Sequence, residues 1–126
     1  MGSGKSIVIV EDEPDTAEMF AEMARLIGYK VMKSLGGVRA IHLISETKPD
    51  AVILDIMMPD LSGLEVLRYI RRDPRLAQVP VIIVSAKGLP SDIQSGLEAG
   101  AAIYLTKPVA FNDFKVALQK VAGLPA

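Results

Sequence analysis

Four short apolar runs are spaced along the chain: residues 7–10 (IVIV), 51–54 (AVIL), 81–84 (VIIV) and 101–105 (AAIYL). β-Branched and aliphatic runs this short suit strands buried on both faces, as a parallel sheet requires. Each run ends in reactive residues. Glu11 and Asp12 follow the first, Asp55 the second, Ser85 the third, and Thr106-Lys107-Pro108 the fourth. If the strands are parallel, these ends share the carboxyl edge of the sheet, where such sheets bind ligands.

Between the runs the hydrophobic period becomes helical. Pro14 stands where a first turn accepts proline, and Ala17, Phe20, Ala21, Ala24 and Ile27 recur at helical spacing up to Gly28. Residues 29–33 resume an extended pattern, Gly36-Gly37 interrupts it, and Val38, Ile41 and Ile44 mark a second helix ending before Lys48-Pro49-Asp50. Leu64, Leu67 and Ile70 mark a third, opened by a turn at Gly63 and closed near Asp73-Pro74. Residues 90–98 predict a fourth of poor intrinsic helicity, with Ser95 and Gly96 inside it and Ile93 and Leu97 as its apolar pair. Phe111, Phe114, Leu118 and Val121 form the stripe of the fifth, stopped by Gly123 and Pro125.

Five strands alternating with five helices predict an α/β fold of the flavodoxin-like (βα)5 type, a three-layer sandwich with a parallel five-stranded sheet in the order 2-1-3-4-5. That order sets the first strand beside the third. Glu11 and Asp12 then meet Asp55 at the switch point, with Ser85 and Lys107 on the other flank. The 126 residues suffice for one domain, 1–126, with a folded core over 5–122 and tails at 1–4 and 123–126.

Fourteen basic and 15 acidic residues leave a formal charge of −1, so no overall field recruits nucleic acid or an anionic membrane. Arg68, Arg71 and Arg72 read as a solvated helix face, since no aromatic or wider basic stripe accompanies them. The absence of cysteine excludes disulfides and thiolate chemistry and fits a cytoplasmic location. No apolar stretch approaches the roughly 20 residues of a membrane span, and the start lacks a signal-peptide core. Gly4-Lys5-Ser6 imitates the end of a phosphate loop but precedes a strand, and the leading Met-Gly-Ser-Gly reads as an appendage to the fold. His42 is the single histidine, with no catalytic partner implied.

Carboxylates within about 4 Å repel by roughly 1 to 4 kcal/mol per pair at effective dielectrics of 80 to 20, so the acidic cluster calls for a cation. Oxygen-only ligands suit Mg²⁺ or Mn²⁺. Phosphoryl transfer needs in-line positioning and charge stabilisation, which a divalent ion, the Lys107 ammonium and the Ser85 hydroxyl can supply around a nucleophilic Asp55. Each piece alone has an ordinary reading. Glu11 and Asp12 suit a helix's positive end, Asp55 a turn, Ser85 a turn hydroxyl and Lys107 the solvent. Their joint placement at the ends of strands 1, 3, 4 and 5 carries the argument.

The segments IVEDEP (9–14), ILDIMMPDLSGLE (53–65), VSA (84–86) and YLTKP (104–108) resemble the receiver domains of two-component response regulators, and the resemblance runs over essentially the whole chain. It implies that Asp55 accepts a phosphoryl group from a sensor histidine kinase or a histidine phosphotransfer protein. It also implies that Asp12 and Asp55 ligate Mg²⁺ directly, Glu11 mainly through water, and the Met57 backbone carbonyl completes the protein ligands. Lys107 would pair with the phosphoryl oxygens, Ser85 would swing toward them and Tyr104 would rotate inward behind it. The Lys107-Pro108 bond is expected to be cis. Ser85 stands where threonine is more usual in the family, and Met57 and Lys87 occupy positions similar to those that tune dephosphorylation.

The resemblance further implies a signalling switch, not an enzyme turning over a separate substrate. Helix 4, strand 5 and helix 5 would form the surface that changes partners, a downstream target or an output domain outside this chain, with a homodimer through the same surface as one form. Two other readings use the same residues. An aspartate-based phosphohydrolase would normally carry a second acid two residues after its nucleophile, where this chain has Met57, and a pseudo-receiver adaptor would dock partners without phosphorylation. A flavin or nucleotide binder of the same topology is disfavoured by Glu11-Asp12-Glu13, which would repel phosphate.

Overall fold

The computed structural model describes residues 4–125 and alternates strand with helix throughout: β1 (Ser6–Val10), α1 (Pro14–Ile27), β2 (Lys30–Ser34), α2 (Gly37–Thr47), β3 (Ala51–Leu54), α3 (Gly63–Arg72), β4 (Val81–Ser85), α4 (Pro90–Glu98), β5 (Ile103–Thr106) and α5 (Phe111–Ala122). The sheet order is β2-β1-β3-β4-β5 with every pairing parallel, as the alternation predicts. Register aligns the strand ends. Val10 pairs with both Ser34 and Leu54, Leu54 with Ile83, and Ser85 with Thr106, so the residues that follow emerge along one edge.

Strand side chains alternate between two cores. Ile7, Ile9, Ile53, Ile82 and Val84 meet Phe20, Ala21 and Ala24 of α1 and Phe114, Ala117 and Leu118 of α5. Phe20 and Phe114 stack there with ring centroids 5.4 Å apart. On the opposite face Val8, Val10, Val52, Leu54, Val81 and Ile83 meet Ala40 and Ile44 of α2 and Val66, Leu67 and Ile70 of α3. Each large side chain so buried contributes about 1.5–3 kcal/mol. Strands covered on both faces explain why the runs are continuously apolar instead of alternating.

Several local expectations change. In α3 the buried positions are Gly63, Val66, Leu67 and Ile70, with Leu64 only half-buried. Phe111 opens α5 at the surface, and Ala117 joins Phe114 and Leu118 in the buried stripe. Ile93 and Leu97 do not face the core: among the described residues of α4 only Gly96 is buried, and Ile93 and Leu97 line an outward groove with Pro90, Gln94 and Glu98. A glycine contact brings α4 too close to the sheet for a larger core side chain.

Residues 123–125, expected as a tail, instead close the amino edge of the sheet. The Lys5 N–H donates to the Pro125 carbonyl (3.1 Å), Lys5 Nζ to the Ala122 carbonyl (2.7 Å) and the Tyr29 hydroxyl to the Gly123 carbonyl (2.6 Å). A helix C-terminus leaves carbonyls without intrahelical partners, and Lys5 and Tyr29 supply the donors. Residues 1–3 and 126 of the expected tails lie outside the described residues. Among the described residues, no helix is long and apolar enough to cross a membrane.

Candidate functional site

β1 and β3 are adjacent, so the residues after them share the carboxyl edge. The Glu11 N–H continues the ladder onto the Ser34 carbonyl (3.0 Å) and the Asp55 N–H onto the Val10 carbonyl (3.0 Å). One carboxylate oxygen from each of Glu11, Asp12 and Asp55 lies within 4.8 Å of the other two. Glu11 and Asp55 are buried, at 3% and 6% exposure, while Asp12 is half-buried. Lys107 arrives from beyond β5, its N–H held by the Ser85 carbonyl (2.9 Å) and its bond to Pro108 cis. Its Nζ donates to Glu11 Oε1 at 2.7 Å and lies 3.7 Å from Asp55 Oδ2.

One ammonium among three carboxylates leaves net negative charge in a partly dehydrated pocket, where repulsion is stronger than in water. The donors are hard oxygens from short or inward-facing side chains, a set that fits Mg²⁺ or Mn²⁺. The acidic residues and Lys107 expected to converge do so.

The remaining residues stand around this centre. Ser85 is buried, and its Oγ accepts the Lys87 N–H at 3.1 Å. The Tyr104 hydroxyl donates to the Lys87 carbonyl at 2.6 Å, and burial raises its phenol above the ordinary value, against a smaller lowering by the Ser85 hydroxyl. Tyr104 is thus tied to the loop after β4 in the one arrangement seen. The Met57 N–H donates to Asp55 Oδ1 at 3.2 Å, while its side chain is 53% exposed. The Lys87 side chain points to solvent, and its backbone does the contacting.

Gly63 has a different role from the one its sequence position suggests. Its φ is not positive; a Cβ there would stand 2.1 Å from the Asp55 carbonyl oxygen and 2.8 Å from Ile56 Cα. Close approach of α3 to the backbone of Asp55 is what demands glycine. The Gly63 N–H also donates to the Ile56 carbonyl at 2.9 Å.

Three contributors had no sequence signal strong enough to single them out. Asp60 reaches across from the loop after β3 to the first N–H groups of α2. Gly96 provides the seat for Tyr104, and Arg71, read as solvated, turns inward onto three backbone carbonyls. The Gly36-Gly37 doublet was the visible trace of the first, since a helix opening on two glycines has no side chain of its own with which to cap.

The family model described as the response regulator receiver domain matches residues 7–119. The phosphate regulon transcriptional regulatory protein PhoB of Pseudomonas aeruginosa is 36% identical over 118 residues, covering 94% of this chain and 52% of PhoB. The polar-differentiation response regulator DivK of Brucella anthropi is 31% identical over 119 residues, covering 94% of this chain and 97% of DivK. The chain therefore spans about half the length of one relative and nearly all of the other. Among solved structures, the receiver domain of the sensor histidine kinase PA1611 of Pseudomonas aeruginosa PAO1, with a magnesium ion coordinated in its active site cleft, is similar with a TM-score of 0.88 and 31% identity, covering 96% of this chain and 99% of that one.

Proposed function

This chain belongs to the response regulator receiver domains, and from that premise we propose that it is a phosphorylation-dependent switch with Asp55 as the phosphoacceptor. The observation that carries the reading is the placement of Lys107 Nζ between Glu11 and Asp55, 2.7 Å from one and 3.7 Å from the other, at the carboxyl edge of the sheet. Receiver domains are signalling domains, and the substrate of this one is its own aspartate.

In the proposed reaction an Asp55 carboxylate oxygen attacks the phosphorus of a phosphohistidine on a sensor kinase or phosphotransfer protein. The O–P bond forms as the P–N bond breaks, and the departing imidazole keeps the electron pair and takes up a proton. Lys107 moves from Glu11 toward the transferred oxygens, whose charge it stabilises. The residues fit Mg²⁺: Asp12 and Asp55 would hold it directly, Glu11 through water and the Met57 carbonyl as a further ligand. Bound there, it supplies positive charge to the phosphoryl oxygens. The Ser85 hydroxyl exchanges the Lys87 N–H for a phosphoryl oxygen, and Tyr104 follows behind it.

The surface of α4, β5 and α5 is proposed to carry the output, to a downstream protein or an output domain outside this chain, or to a second copy. Support comes from α4, whose single buried residue among those described is a glycine and whose apolar side chains Ile93 and Leu97 face outward. So slight an anchorage lets a charge change at Asp55 bias how the helix packs. We take residues 5–122 of the single domain as the receiver unit and its place of action as the cytoplasm. Transfer of label from an autophosphorylated histidine kinase tests the reading: wild type should take up label that Asp55→Asn does not, and equal uptake by both would remove Asp55 as acceptor.

A further inference from the structure

The crest of the loop between β3 and α3 is fastened to a different element. Asp60 Oδ1 accepts the Gly37 N–H at 3.2 Å and Oδ2 accepts the Val38 N–H at 3.2 Å. These are the first N–H groups of α2, whose N-cap is Gly36, and N-terminal N–H groups have no partner within a helix. The cap therefore comes from 22 to 23 residues further along the chain. Both glycines make room for it. A Cβ on Gly36 would lie 3.0 Å from Asp60 Oδ2, and one on Gly37 would lie 2.9 Å from both Leu61 Cβ and the Leu61 carbonyl oxygen.

The same loop carries the backbone of the acidic centre. It starts at Asp55, holds Met57 with its N–H on Asp55 Oδ1, and ends at Gly63 with its N–H on the Ile56 carbonyl. Its two ends are pinned to each other within the loop. Met58 and Leu61 pack the loop against the core, and among the described residues Asp60 joins the crest to another element through a pair of charge-assisted hydrogen bonds, which are stronger than neutral ones.

We propose that Asp60 is a positioning residue for divalent-cation binding: by docking the crest of residues 57–62 on the N-terminus of α2, it holds the Met57 backbone against Asp55. The proposal rests on reading Glu11, Asp12 and Asp55 as a Mg²⁺ site. Coupling of this kind is reciprocal, so Mg²⁺ must in turn tighten the Asp60 cap and slow hydrogen exchange at Gly37 and Val38.

The test is a Mg²⁺ titration of the full chain followed by NMR, with amide exchange measured at each end point. Asp60→Ala and Gly37→Ala, which attack the contact from opposite sides, should each weaken Mg²⁺ binding by about tenfold, the range for groups that orient metal ligands. Ile44→Val, a buried change in α2 away from the loop, should leave it within about twofold. In wild type Mg²⁺ should slow exchange at Gly37 and Val38. Wild-type affinity in Asp60→Ala, with α2 intact, overturns the positioning role and leaves the Mg²⁺ site standing. No Mg²⁺ binding by wild type overturns the reading of the acidic centre and the proposal with it. Should Asp60→Ala not fold, Asp60→Asn retains one acceptor oxygen, and undiminished affinity there also overturns the role.

Discussion

The ring of Tyr104 lies on Gly96: a methyl group on that glycine would stand 2.8 Å from Tyr104 Cδ2 and 2.8 Å from Ile83 Cδ1. Two effects of Gly96→Ala oppose each other. Alanine favours the helix by up to about 1 kcal/mol, while overpacking costs typically about 1–3 kcal/mol. The second should win while the ring is present, lowering stability by about 1–2 kcal/mol in urea unfolding, and the loss should shrink or reverse in a Tyr104→Ala background. Equal effects in both backgrounds would show that the ring does not rest on Gly96.

Arg71 fastens the turn that follows the same helix. Its Nε and one terminal nitrogen donate to the Gly100 carbonyl at 3.1 and 2.8 Å, and the other terminal nitrogen donates to the carbonyls of Ala77 and Val79 at 3.1 and 2.7 Å. Burial lowers the guanidinium from its ordinary value. A lysine cannot reproduce this fork, so Arg71→Lys should cost about 1–3 kcal/mol in urea unfolding at unchanged slope. A variant as stable as wild type would contradict the clamp.

The Asp60 cap has a pH signature. Hydrogen bonds from the Gly37 and Val38 N–H groups hold its carboxyl below the usual carboxylate value. A carboxyl lowered on folding contributes stability that is fully present above its unfolded value, about 3.9, and lost as pH falls through the folded value. The Gly37 and Val38 amide resonances should therefore move only in acid, with a midpoint below about 3.9. Asp60→Asn should abolish the step, and a midpoint at or above the unfolded value would contradict the cap.

The sheet was legible because periodicity reports burial. Runs covered on both faces are continuously apolar, and the short connections around them leave few topologies. The acidic centre was legible because strand ends are fixed by the same runs, which placed Glu11, Asp12, Asp55, Ser85 and Lys107 without knowledge of any side-chain contact. Gly96, Arg71 and Asp60 escaped for a common reason. Each acts through backbone proximity or backbone carbonyl and N–H groups distant in sequence, which residue type does not encode. Ile93 and Leu97 line an exposed groove, a placement that spacing leaves open because an apolar pair at helical spacing has the same pattern whether it faces a core or a groove.

Met57 sets an expectation for the lifetime of the phosphorylated state. Its side chain is 53% exposed beside Asp55, and a thioether is only a weak acceptor, poorly suited to orient an attacking water. Aspartyl phosphate on the wild-type chain should decay slowly, and Met57→Asn, which adds a donor and an acceptor, should speed the decay severalfold. Decay of labelled protein in Mg²⁺ buffer measures this, and an unchanged rate in Met57→Asn would exclude the side chain as the control.

The most direct measurement is intact mass after incubation with acetyl phosphate and Mg²⁺. Wild type should gain the mass of one phosphoryl group, lose that gain when a chelator replaces Mg²⁺, and retain the adduct long enough to map to Asp55; Asp55→Asn should gain nothing. An unmodified wild type, or an equal adduct on Asp55→Asn, would contradict the account.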